Sequence, residues 1–93
     1  MNNLASKIED IAQAIKGLCS YIDVRNDDNG PYIIAFGLKD NHSLQLRNIK
    51  EKFVLELWRG KSAEEEVLTA EPSYPNAESA LEKAKEWLSR DTL

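Results

Sequence analysis

Cysteine and histidine are nearly missing from this sequence: Cys19 and His42 are the one example of each. A single cysteine excludes an internal disulfide and any Cys-x-x-Cys pair, so the fold must rest on its core, which suits a reducing compartment. A single histidine excludes a multi-histidine metal site. The four glycines stand apart and form no glycine-rich phosphate loop. No stretch approaches the roughly 18 to 20 apolar residues of a membrane span, and the N-terminus has no basic start followed by an apolar run. A cytoplasmic protein without a membrane segment is the expectation. Excess positive charge is missing too. The formal net charge is −4 and the sequence pI about 5.0, which gives no general attraction for phosphate backbones.

What is present suits a single α+β domain over residues 1–93. An apolar fraction of 42% in 93 residues is enough to offset chain entropy. Leu4, Ile8, Ile11, Ile15 and Leu18 or Cys19 recur at steps of four and three, which predicts a helix over about 3–19. Asn3 or Ser6 can cap it. Residues 21–25 alternate weakly and are the least defined strand. Asn26 to Pro31 is turn chemistry throughout. Three clearer strands follow over 32–38, 43–48 and 52–59, and a last one over 65–70. Their short connections make neighbours antiparallel. Asn76 caps a final helix over about 77–89, with Ala77, Ala80, Leu81, Ala84, Trp87 and Leu88 as its apolar stripe.

Both helices need a partner for one face, and a meander of four to five strands offers one apolar face. The expected architecture is therefore two layers, with both helices on one side of the sheet. The alternation predicts Ile34, Phe36, Leu44, Leu46, Phe53, Leu55 and Leu57 toward the helices. It places Ile33, Ala35, Val54, Glu56 and Trp58 on the outer face, with Gln45 and Arg47 between them.

Candidate chemistry is sparse. Asp27, Asn29 and Gly30 fail as a calcium loop, because Arg25 and Phe36 would occupy required ligand positions. Asp40, His42 and Ser43 have the residue types of a nucleophilic triad but are sequence neighbours at a turn, where the three cannot align. His42 reads as an exposed turn histidine. Cys19, near a helix C-terminus whose partial negative charge disfavours a thiolate, reads as a structural thiol. No catalytic residue, metal ligand or cofactor is expected.

Two features remain. Residues 39–61 carry six basic and three acidic side chains, a net of +3, which leaves −7 for the rest of the chain. An outward Trp58, supported by Ile33, Val54, Arg47 and Arg59, has the composition of a contact hot spot. The helix–sheet–helix order resembles double-stranded-RNA-binding domains in architecture alone. Glu78, Glu82 and Glu86 stand where such domains carry a basic patch. The leading expectation is a non-catalytic protein-interaction module (a regulator, adaptor or inhibitor). It binds another protein, or a second copy, through the outer sheet face or an edge strand. A nucleic-acid binder using segment 39–61 is the alternative, and a small enzyme or ligand-binding domain the third.

Overall fold

The computed structural model describes residues 4–38, 42–60 and 67–89. The chain runs α1 (Leu4–Ile15), a single 3₁₀ turn (Lys16–Leu18), β1 (Cys19–Asp27), β2 (Gly30–Gly37), β3 (His42–Ile49), β4 (Lys52–Arg59), β5 (Val67–Ala70), β6 (Ser73–Tyr74) and α2 (Ala77–Leu88). The strands form one antiparallel sheet in the order β1-β2-β3-β4-β5, with β6 also on β4. Asn76 caps α2 as its side chain predicts: Oδ1 accepts from the Ser79 N–H at 2.8 Å. The Ser6 cap and the start of the last expected strand lie outside the described side chains. The weakly alternating 21–25 is the middle of a nine-residue edge strand.

Hairpin geometry sets the sheet register. β3 turns into β4 through Lys50 and Glu51, both at positive φ (50° and 69°). Two left-handed residues in a two-residue loop match the twist of antiparallel strands, although neither Lys nor Glu favours that conformation. The turn sets Ile49 opposite Lys52, and with them Leu46 opposite Leu55 and Leu44 opposite Leu57. These four are fully buried, as are Ile8 and Ile15 of α1 and Ala80 and Ala84 of α2. Both helices therefore lie on the same face of the sheet and share one core.

β2 takes the opposite phase to the one its residue sizes suggest. Ile33 and Ala35 are buried among the helices, whereas Phe36 is 40% exposed and Leu38 57% exposed. Ile33, expected outward as a contact residue, is thus a core residue. Register and space explain the reversal. Ile33 pairs with Leu46 and Ala35 with Leu44, so they share the inner face. The end of α2 also comes close: a Cβ on Gly37 would lie 3.0 Å from the Leu88 carbonyl oxygen. That strip of β2 accepts Ala35 and Gly37 and has no room for Phe36.

The far side of β4 is shared by two short strands. Leu57 pairs with Ala70 in β5 and Phe53 with Tyr74 in β6, and the Leu55 N–H donates to the Pro72 carbonyl at 2.9 Å between them. The proline interrupts what would otherwise be one strand, because it has no N–H to continue the ladder.

Two outcomes test this packing. Leu55→Ala is expected to cost about 2–5 kcal/mol in chemical denaturation, through lost burial and a cavity. Replacing Lys50-Glu51 by Asn-Gly is expected to stabilise the domain by roughly 1 kcal/mol, since those residues adopt positive φ without strain.

Candidate functional site

The outer sheet face carries the residues of interest, and the register arranges them in transverse rows. Tyr21 lies opposite Phe36, Phe36 opposite Ser43, Ser43 opposite Trp58, and Trp58 opposite Leu68. This row crosses all five strands of the main path at one end of the sheet. Tyr21, Phe36 and Leu68 are each 40–44% exposed, and Trp58 is half-buried. Tyr21 and Phe36 meet edge to face with centroids 6.0 Å apart. The central position holds Ser43, so the row dips between two aromatic shoulders. Ile34 adds apolar surface in the adjacent row, beside Asp23, Gln45 and Glu56, and Val54 lies in the row beyond it, opposite Arg47.

The charges on this face are largely satisfied within it. Arg25 Nε donates to Asp23 Oδ2 at 2.9 Å, and its Nη2 donates to the Tyr21 hydroxyl at 3.0 Å. Arg47 Nη1 donates to Asp27 Oδ2 at 2.7 Å while its guanidinium lies 4.1 Å over the Tyr32 ring. The Trp58 indole N–H donates to Glu56 Oε1 at 3.3 Å. Strand phase puts Asp23, Asp27 and Glu56 on this face with Arg25, Arg47 and Lys52, so acids and bases balance among the described strand residues. The Arg25 hydrogen bond holds the Asp23 carboxyl below the usual range, and the arginine is correspondingly more basic. The Arg47 bond does the same for Asp27, helped by the Asn29 N–H.

Of the five residues singled out by sequence, the structure brings Trp58, Val54 and Arg47 together on the outer face. Ile33 is in the core, as described above. Arg59 has the opposite phase to Trp58: it pairs with His42 and Val67 on the helix side. Sequence reasoning missed Tyr21, Phe36 and Leu68. Alternation yields Phe36 only with β2 in the opposite phase, whereas Tyr21 and Leu68 lie within the expected strands 21–25 and 65–70 and join Trp58 only through strand pairing.

His42 and Cys19 also differ from expectation in place. His42 is 3% exposed at the start of β3, edge-on to Trp87 with ring centroids 4.7 Å apart. It is part of the packing that seats α2, and the turn location predicted for it is wrong by one structural layer. Trp87 itself donates its indole N–H to the Ser43 carbonyl at 2.9 Å. Cys19 opens β1, half-buried, its thiol donating to the Ile15 carbonyl at 3.2 Å. Burial pushes that thiol's pKa up, which disfavours the reactive thiolate. Among the described residues no cluster of His, Cys, Asp or Glu is arranged to hold a metal ion. Two open hollows, one beside Arg59, Gly60, Val67 and Thr69 and one between the helices at Ile11 and Leu81, are shallow surface features. No described helix is long and apolar enough to cross a membrane.

Compared with family models, curated proteins and solved structures, the chain matches none of them.

The ion pairs make a prediction for carboxyl titrations followed by NMR. Asp23 and Asp27 are expected to titrate below the ordinary aspartate range. Arg47→Gln returns Asp27 toward that range and leaves Asp23 depressed. Because the folded-state values are lowered, each pair's contribution to stability is present above the unfolded aspartate pKa. It is lost as pH falls through the folded value, so both persist at neutral pH. A change at Asp23 in the Arg47 variant would mean that the two pairs form one network.

Proposed function

We propose that this chain is a non-catalytic protein-interaction module of the cytoplasm, and that its outer sheet face contacts a partner protein. The observation that carries this reading is the transverse row of Tyr21, Phe36, Trp58 and Leu68, an apolar ridge left exposed on a face whose charges cancel. Aromatic side chains expose large, rigid area and dominate contact energetics when a partner covers them. A face whose described charges balance and whose arginines are paired exerts no strong pull on a charged partner, and the row itself holds no ion to desolvate, which fits a protein surface carrying apolar side chains of its own.

The same pairing weighs against nucleic acid. Arg47 is engaged by Asp27 and Tyr32, and Trp58 is tethered to Glu56. A stacking platform for bases needs an aromatic flanked by uncommitted cations. Lys39 and Lys61, also counted in the basic segment, lie outside the described residues.

Affinity capture with the wild-type chain, Trp58→Ala, Phe36→Ala and Lys52→Ala as a charged control tests the reading, followed by calorimetry on any purified pair. The wild type and the Lys52 variant are expected to retain the same protein. Trp58→Ala is expected to weaken binding by about 2 kcal/mol or more, and Phe36→Ala by less, with melting nearly unchanged because the core lies on the other face. A partner bound equally by all four proteins places the contact elsewhere. A collapse of melting in Trp58→Ala makes that residue a structural one.

A further inference from the structure

We infer that β1 is a self-complementary edge, and that two copies of this chain join through antiparallel pairing of their β1 strands about Val24. This contact uses the sheet edge, not the outer face proposed for a partner protein, and extends the five-strand path of each copy into one continuous sheet.

The two edges of the sheet differ. The β5/β6 side is short and broken by Pro72. β1 runs nine residues, from Cys19 to Asp27, and among the described residues no strand pairs with its other side. A long continuous edge presents a row of backbone donors and acceptors to any chain that can match it.

Pro31 determines which groups point there. It lies opposite Asn26 and has no N–H to exchange, so Asn26–Pro31 is a non-hydrogen-bonded pair. Alternation then makes Asp23, Arg25 and Asp27 the residues bonded to β2. Ile22, Val24 and Asn26 direct their N–H and C=O groups outward. The side chains of Ile22 and Val24 are only partly buried against the core, leaving apolar surface beside the same edge.

Side-chain charge selects the occupant and the register. A symmetric pair about Asp23 would oppose two aspartates, and one about Arg25 two arginines; both are repulsive. About Val24, Asp23 of each copy faces Arg25 of the other, Ile22 faces Asn26, and Val24 faces Val24. All outward backbone groups are then in step. A pair about Asn26 would also match Arg25 with Asp27, but it runs into the Asp28–Asn29 turn and leaves half the strand unpaired. Asp23 and Arg25 are about half exposed. The existing bonds use one aspartate oxygen and two of the three guanidinium nitrogens, so donors remain for a second carboxylate. The arrangement is isologous, as a closed two-fold dimer requires.

Sedimentation of the wild type, Asp23→Arg, Arg25→Asp and an equimolar mixture of the two variants tests this. The wild type is expected to dimerise. Each variant alone sets like charges opposite each other twice and is expected to weaken dimerisation about tenfold or more. The mixture restores both opposite-charge pairs and is expected to associate as a heterodimer. Trp58→Ala should dimerise like the wild type. In hydrogen exchange on the unaltered chain, amides of Ile22, Val24 and Asn26 should slow as concentration rises. A wild type monomeric into the millimolar range, single variants that dimerise unchanged, a mixture that stays monomeric, dimerisation lost in Trp58→Ala, or concentration-independent exchange at those three amides would each overturn the inference. The Trp58 variant and the exchange data separate a failure of this edge from a failure of the outer-face reading.

Discussion

The register of β3 against β4 is the constraint from which the rest of the structure follows. Lys50 and Glu51 close the hairpin in a mirror-image turn and set Leu44, Leu46, Leu55 and Leu57 on one face. A slip of one residue would exchange that face with Ser43, Gln45, Val54 and Glu56, and the helices would have no apolar floor. Because β2 pairs with β3 and β5 with β4, the same register also decides which side every other strand presents.

The helices use that floor differently. α1 places Ile8, Ile11 and Ile15 in the core, whereas α2 brings in Ala80 and Ala84, small enough for its backbone to approach the sheet. Trp87 and Leu88 then end α2 over the end of β2 and the start of β3. Trp87 reaches the Ser43 carbonyl and lies against His42, and Leu88 sits above Gly37. The polar atom of the largest buried side chain is thereby satisfied, which a buried indole requires. The histidine that looked exposed in sequence belongs to this seat.

With one face consumed by the helices, the other carries what the core cannot absorb. Aromatic and aliphatic residues collect in one row at one end of the sheet, and ion pairs collect toward the β1–β2 turn. The face carries an apolar row beside ion pairs that balance among the described residues, and its edge strand carries an acid and a base two residues apart. Those two properties address two different neighbours. A neutral ridge suits a protein surface in general, whereas alternating charges on an antiparallel edge are matched best by their own reverse.

The sequence by itself determined the fold class, the two helices, the antiparallel meander, the inward phase of β3 and β4, and the outward phase of Trp58. Each of these follows from local periodicity or cap chemistry, which a single segment carries within itself: Leu44 and Leu46 alternate with Gln45 and Arg47, and Asn76 meets Ser79 three residues on. Tertiary structure decided the phase of β2, where Tyr32, Ile33, Ile34, Ala35 and Phe36 are apolar on both parities and alternation has nothing to choose between. Space beneath α2 made that choice, favouring Ala35 and Gly37 inside and leaving Phe36 out. It likewise placed His42 under Trp87 and assembled Tyr21, Phe36, Trp58 and Leu68 into one row. Those residues come from four strands, and their adjacency exists only once strand pairing has set residues far apart in the chain opposite one another.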